Sequence, residues 1–265
     1  AWKHLTKRRR KGFVSLISLI SILGVALGVM ALIVVMAVMS GFDRELKLKI
    51  VGMNPHIVVE KIGGLTESKK VMEQIQGLDP RFHSITEYVQ GQTLIRSASN
   101  AIGAIIRGVD PASDQLSFVK KNLIVGDLAF QDRSDDKGAV GAVAIGSSLA
   151  HILKVGIGDP VFLISPHFSE EKGIDTKKRA KVDRFYVSGI FELGMNEFDT
   201  TMVLTDLPRA QALYDMAGRS SGLSIRLKNV DEAEALKVRL EATIGGEYWI
   251  KSWQDMNRNF FDALK

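Results

Sequence analysis

The 265-residue sequence contains no cysteine. No disulfide can staple it and no thiolate zinc site can form, so any folded part must be held by its own apolar core. Its histidines, His4, His56, His83, His151 and His167, are scattered, and none has the H-E-x-x-H spacing that sets two imidazoles on one helix face. There is no G-x-x-x-x-G-K loop followed by Ser or Thr, which excludes P-loop binding of nucleotide phosphates. "VGIGDP" (155–160) is no dinucleotide site either, because it leads into a strand where that fingerprint opens a helix. "IGSSLA" (145–150) offers Gly146 and Ser148 but lacks the glycine that a G-x-S-x-G elbow needs after its serine. Capping of a helix over 147–153 by Ser147 or Ser148 is the expected use. The acid pairs Asp135–Asp136 and Glu170–Glu171 lie in polar stretches where solvation is the default. The sequence therefore predicts neither catalytic residues nor metal ligands, and no cofactor.

Charge is missing altogether between Lys11 and Asp43. This stretch includes "LISILGVALGVMALIVVMAVMSGF" (19–42), longer than the roughly 20 apolar residues that cross a bilayer and about twice a signal-peptide core, so a retained membrane helix is expected. Ahead of it stand Lys3, Lys7, Arg8, Arg9, Arg10 and Lys11 with no acid, and behind it the mixed set Asp43, Arg44, Glu45, Lys47 and Lys49. The positive-inside rule then places the amino terminus in the cytoplasm and everything after Phe42 outside. The net charge of +5, less the +6 of this arm, leaves −1 for the rest, so no basic face for nucleic acid remains. Position 1 is Ala, not Met, which leaves the native start open.

Beyond the span the apolar spacing of "FDRELKLKIVG" predicts a helix that continues as a stalk to a stop at Gly52. A strand (56–61), a helix (66–78) capped by Thr66 and a strand (83–97) follow, and the same order recurs at 222–229, 230–245 and 247–253. Two β-α-β units bracketing a long middle segment predict an α+β fold, a split ferredoxin-like sandwich with a mainly-β insertion. The expected division is 1–52 (basic arm, membrane helix, stalk), 53–95 with 221–252 (membrane-proximal α/β subdomain), 96–220 (inserted β subdomain) and 253–265 (a connecting helix). Within the insertion, strands are expected at 101–110, 185–194 and 201–205, a strand turning into a helix at 141–153, a Gly-rich turn entering a strand at 155–165 and a helix at 206–216. The charged run 166–184 has no periodicity and reads as a loop, a binding element if not filler. Inside the span, Gly24 and Gly28 form a small-x-x-x-small pair that permits close packing of another helix.

Taken together, "RRKGFVSLISLISILGVALGVMALIVVMAVMSGFDREL", and more loosely "IVGMNPHI", "GVDP", "VGIGDPVFLISP", "FYVSGIFELGMNEFDTTMVL", "RAQALY" and "IKSWQDMNRNFFDALK", resemble the lipoprotein-releasing ABC transporter permeases of the LolC/LolE family. The resemblance implies four membrane helices with a MacB-like periplasmic domain between the first and second. Ending at "FFDALK", the chain is expected to be a fragment that stops short of the second span. It further implies a LolD-like ATP-binding partner that alone binds ATP, a second permease subunit, a lipoprotein substrate in the inner membrane and a LolA-like periplasmic carrier. Acyl chains would lie against Val35, Val38, Met39 and Phe42, and the carrier against Pro166, His167, Phe168 and Ser169. LolC-like and LolE-like identities both stay open. The alternatives are a single-pass sensor or scaffold, which would end near Lys265, and a membrane-anchored hydrolase, for which no spacing speaks.

Overall fold

The computed structural model describes residues 9–111, 113–131, 138–165 and 181–258, with side chains from residues 16–41 and from residue 51 onward within them. The chain forms two units, Ala1–Leu48 and Lys49–Lys265. The first is built by helix α1 (Arg9–Met53), whose final turn belongs to the second unit. Leu16–Gly41 is apolar all round, with a mean hydropathy of 2.9 and no residue buried. A helix with no polar face gains nothing by lying on a protein surface in water, and its length suits the hydrocarbon of a bilayer.

In the second unit the chain runs through β1 (Ile57–Leu65), α2 (Ser68–Gln76), β2 (Phe82–Arg96), β3 (Ala101–Val109), α3 (Asp114–Lys121), β4 (Leu123–Gly126), β5 (Ala142–Gly146), α4 (Ser147–Leu153) and β6 (Pro160–Ser165). It continues with β7 (Lys181–Phe191), α5 (Asn196–Thr201), β8 (Met202–Asp206), α6 (Leu207–Leu213), β9 (Ser220–Leu227), a 3-10 turn Val230–Glu232, α7 (Ala233–Ile244), β10 (Trp249–Ser252) and α8 (Trp253–Met256). Strands β10-β1-β9-β2 lie in that order, all antiparallel, which is the ferredoxin-like arrangement of two β-α-β units. Alternation along the strands sends Ile57, Val59, Leu223 and Ile225 to one face, where they pack with Val71 and Ile75 of α2 and Leu236 and Leu240 of α7.

Strand β2 outgrows this sheet. Phe82 to Tyr88 pair with β9, and Tyr88 to Arg96 pair with β3. From there the order is β2-β3-β8-β5-β7, and β6 bridges β7 back to β2, so six strands close into a ring. Closure removes free edges, and the ring is filled by Ile95, Ile106, Val143, Ile145, Leu163, Phe185 and Val203. A third cluster, under α3, gathers Val109, Leu116, Val119, Phe191 and Leu204 around Met53.

Several local expectations are corrected. Helix α2 is preceded by Glu67, not capped by Thr66, and the nearby Ser68 hydroxyl instead donates to Glu87 at 2.7 Å. Helix α4 has Gly146 at its N-cap and no side-chain cap, because Ser147 is already the first helical residue. Gly52 is no stop, since α1 runs on to Met53. Strand β7 begins at Lys181, so "KVDR" (181–184) belongs to the ladder and not to the charged loop; there Ser165 pairs with Lys181. Helices α3 and α5 and strand β4 were not expected. The first is signalled by Ser113, whose hydroxyl accepts from the Leu116 amide.

Candidate functional site

Along α1 the successive side chains turn by about 100° per residue, so Gly24, Gly28, Val35, Val38 and Met39 fall on one stripe. At the two glycines an added Cβ would meet nothing within 4 Å, so this part of the stripe is bare backbone open to approach. Met39 lies about 16 Å further along at 1.5 Å per residue. Val35, Val38 and Met39 are 64%, 67% and 46% exposed. The one hydroxyl beside them is already satisfied: Ser40 donates back to the Met36 carbonyl at 2.8 Å, as a polar group in apolar surroundings must. The side chain of Phe42 lies outside the described residues, as do Pro166, His167, Phe168 and Ser169. The structure thus sets Gly24, Gly28, Val35, Val38 and Met39 on one stripe and gives no geometry for Phe42 or for the expected carrier contact.

A second set of residues, not anticipated, holds the last turn of α1 within the second unit. The guanidinium of Arg226, on β9, donates to the carbonyls of Val51 (3.3 Å) and Gly52 (2.7 Å), which a helix leaves without internal partners. The ring of Phe118 occupies the place of a Gly52 side chain, with Cε2 only 2.4 Å from an ideal Cβ. Met53 is buried, and its sulfur accepts from the Gln115 amide at 3.7 Å. The sequence signal was present but ambiguous: Gly52 could end a helix or admit a neighbour, and only the packing decides.

Several titratable groups among the described residues of this unit hold elements together. Asp79, whose side chain is 3% exposed, accepts from Arg81 at 2.7 Å and from Arg239 of α7 at 2.8 Å. The Arg81 hydrogen bonds hold its carboxyl well below the usual range. Tyr88 donates to Glu60 at 2.7 Å, and Glu60 also receives Lys251 at 3.0 Å. The guanidinium of buried Arg107 stacks on the Tyr88 ring at 4.5 Å. Burial pushes the Tyr88 hydroxyl up and the Arg107 guanidinium down. His56 accepts from the Leu227 amide at 3.0 Å, and burial, helped by Arg226, lowers its pKa to about 4. Among the described residues no serine hydroxyl hydrogen-bonds a histidine, and no group of three or more His, Asp or Glu could hold a metal.

Residues 18–243 match the family described as the MacB-like periplasmic core domain. The lipoprotein-releasing system transmembrane protein LolC of Xylella fastidiosa (strain 9a5c) is 31% identical over 264 residues, covering 99% of this chain and 62% of that protein. The corresponding LolE of Haemophilus influenzae is 24% identical over 259 residues, covering 96% of this chain and 60% of that protein. The chain therefore spans about three fifths of these relatives. The crystal structure of the periplasmic region of MacB from Actinobacillus actinomycetemcomitans aligns over 81% of this chain and 96% of its own, with 11% identity and a TM-score of 0.45.

Proposed function

The chain belongs to the family of MacB-like periplasmic core domains, and on that premise we propose that it is part of a permease subunit of a lipoprotein-releasing ABC transporter. The observation that carries this reading is the similarity of nearly the whole chain, apolar helix included, to LolC. On this reading α1 is the first membrane helix, its basic amino-terminal arm lies in the cytoplasm, and the sheet domain stands in the periplasm. With no phosphate-binding loop in the sequence, energy comes from a LolD-like subunit that binds and hydrolyses ATP. A second permease subunit packs on the Gly24–Gly28 stretch, acyl chains of the lipoprotein pass Val35, Val38, Met39 and Phe42, and a LolA-like carrier takes the product near residues 166–169.

The test is reconstitution. The full-length subunit, placed in vesicles with its ATP-binding and permease partners and a triacylated lipoprotein, should release that lipoprotein to a soluble carrier only when ATP is present. Release that ignores ATP, or ATP turnover by the isolated chain that point changes within it abolish, would end the reading.

A further inference from the structure

The outer face of the six-stranded ring carries an apolar strip that nothing above uses. Val182 of β7, Ile164 of β6, Leu94 of β2 and Gly103 of β3 are successive cross-strand partners, Val182 with Ile164, Ile164 with Leu94, and Leu94 with Gly103. Directly paired residues share a face of the sheet, and the neighbouring positions Leu163, Ile95 and Ala104 point inward, so this row points out. Val182 and Leu94 are exposed and Ile164 is half-buried. The strands curve here into a groove of about 480 Å³, lined by Gln92, Leu94, Gly103, Ile105, Ile164 and Thr201. None of these side chains ionises.

We propose that this groove binds one aliphatic chain of a lipid. The chemistry of the wall selects the occupant. Over Leu94–Arg96 strand β2 is hydrogen-bonded on both sides, to β3 and to β6, so a peptide laid along this part of the groove could not add as a strand. The polar side chains of the lining are Gln92, Thr93 and Thr201, and both threonine hydroxyls already donate to carbonyls, of Ile164 and Glu197, so a peptide's own amides would be desolvated with little to meet them. A folded partner is a poor fit too, since the row is three strand spacings long, about 14 Å, and one residue pair wide, far short of the roughly 800 Å² that a stable protein interface covers on each side. A hydrocarbon chain brings no polar group to satisfy, and the volume falls within the usual range of small-ligand sites, about 300–1,000 Å³. In the next row Phe162 pairs with the exposed Arg96, a cation placed to meet the polar end of such a lipid. The proposal rests on the transporter reading only for the source of the chain: a lipoprotein's acyl group or a free membrane lipid.

Gly103 makes the test clean. An added Cβ there meets nothing within 4 Å, so Gly103→Leu starts from open space and extends its side chain into the groove. The full-length subunit, assembled with its partners in lipid nanodiscs, is illuminated in two arms, one with free palmitate bearing a terminal diazirine and one with a lipoprotein acylated by the same probe. Adducts are mapped by peptide mass spectrometry. We expect labelling of residues 92–94, 103–105 and 164, reduced at least tenfold by Gly103→Leu and also by Leu94→Gln, an exposed position whose change spares the core. Labelling in the lipoprotein arm assigns the chain to substrate, and labelling only by palmitate assigns it to free lipid; both support the site. No adduct on these strands in either arm, or adducts indifferent to both substitutions, overturns it. Lipoprotein release is followed in the same samples: release without labelling removes the groove and leaves the transporter reading standing, whereas labelling without release does the reverse.

Discussion

Gly52 shows how much one missing side chain can decide. In a helix interior glycine is less favourable than alanine by about 1 kcal/mol, so on backbone grounds Gly52→Ala should stabilise the domain. The Phe118 ring, 2.4 Å from the new Cβ and itself packed beside the Met53 cluster, argues the other way. Overpacking of this kind costs about 1–3 kcal/mol. We expect Gly52→Ala to lower stability in urea unfolding and Gly52→Ala with Phe118→Leu to recover most of the loss; a stabilised single variant would show that the ring swings away freely. His56 makes a second prediction at this scale. Its pKa is lowered to about 4 by burial, against 6.5 in the unfolded chain, so the unfolded state binds the proton first on acidification. The neutral ring's contribution is complete above pH 6.5 and is lost as the pH falls towards 4, by up to about 3 kcal/mol. His56→Asn keeps an acceptor for the Leu227 amide and removes the titration, so its melting temperature should fall less than wild type across that window.

At the scale of elements, Asp79 joins the two β-α-β units. It follows α2, and its carboxylate gathers Arg81 and Arg239, while Arg81 also reaches Glu232 beside α7 at 3.1 Å. Because its pKa is depressed, the carboxylate's contribution is present above about pH 4 and fades as the pH drops further. Asp79→Asn should therefore melt below wild type at pH 7, by more than Glu232→Gln, whose side chain is 36% exposed, and the gap should narrow below pH 4. Equal effects of the two substitutions at every pH would remove Asp79 from this role. These elements were legible in the sequence for a physical reason: α2, β9 and α7 bury one face, and burial imposes a period of 3.6 or of two that the chain records, while β1 is marked by its β-branched run. What stayed hidden was non-local or very short. No pattern within β6 announces that three of its residues close a ring onto β2, since pairing depends on where other strands arrive. Helix α5, six residues over "NEFDTT", has no room for a periodic face. The serines of "IGSSLA" carried a capping signal that the backbone did not use, because Gly146 takes that place.

At the scale of the whole molecule the stripe along α1 separates two jobs that a membrane helix can do, and substitutions can tell them apart. Its small residues, Gly24 and Gly28, leave backbone bare, which lowers the cost of close helix packing where lipid offers no hydrophobic drive of its own. Its larger residues, Val35, Val38 and Met39, present exposed apolar surface instead, and methionine's flexible thioether adapts to an irregular occupant. If acyl chains pass this end, Met39→Asp should impair lipoprotein release by at least tenfold, because a carboxylate among hydrocarbon either holds water in the site or must be neutralised, at several kcal/mol in either case. Assembly should survive, since the glycine pair lies about three turns away along the helix. Gly24→Leu should give the opposite result, with the partner permease lost on co-purification while the remaining complexes release substrate. The deciding measurement is photocrosslinking from position 39 to lipoprotein in the assembled, nucleotide-free transporter. A missing crosslink together with normal release by Met39→Asp would take these residues off the substrate's path and leave the helix as an anchor alone.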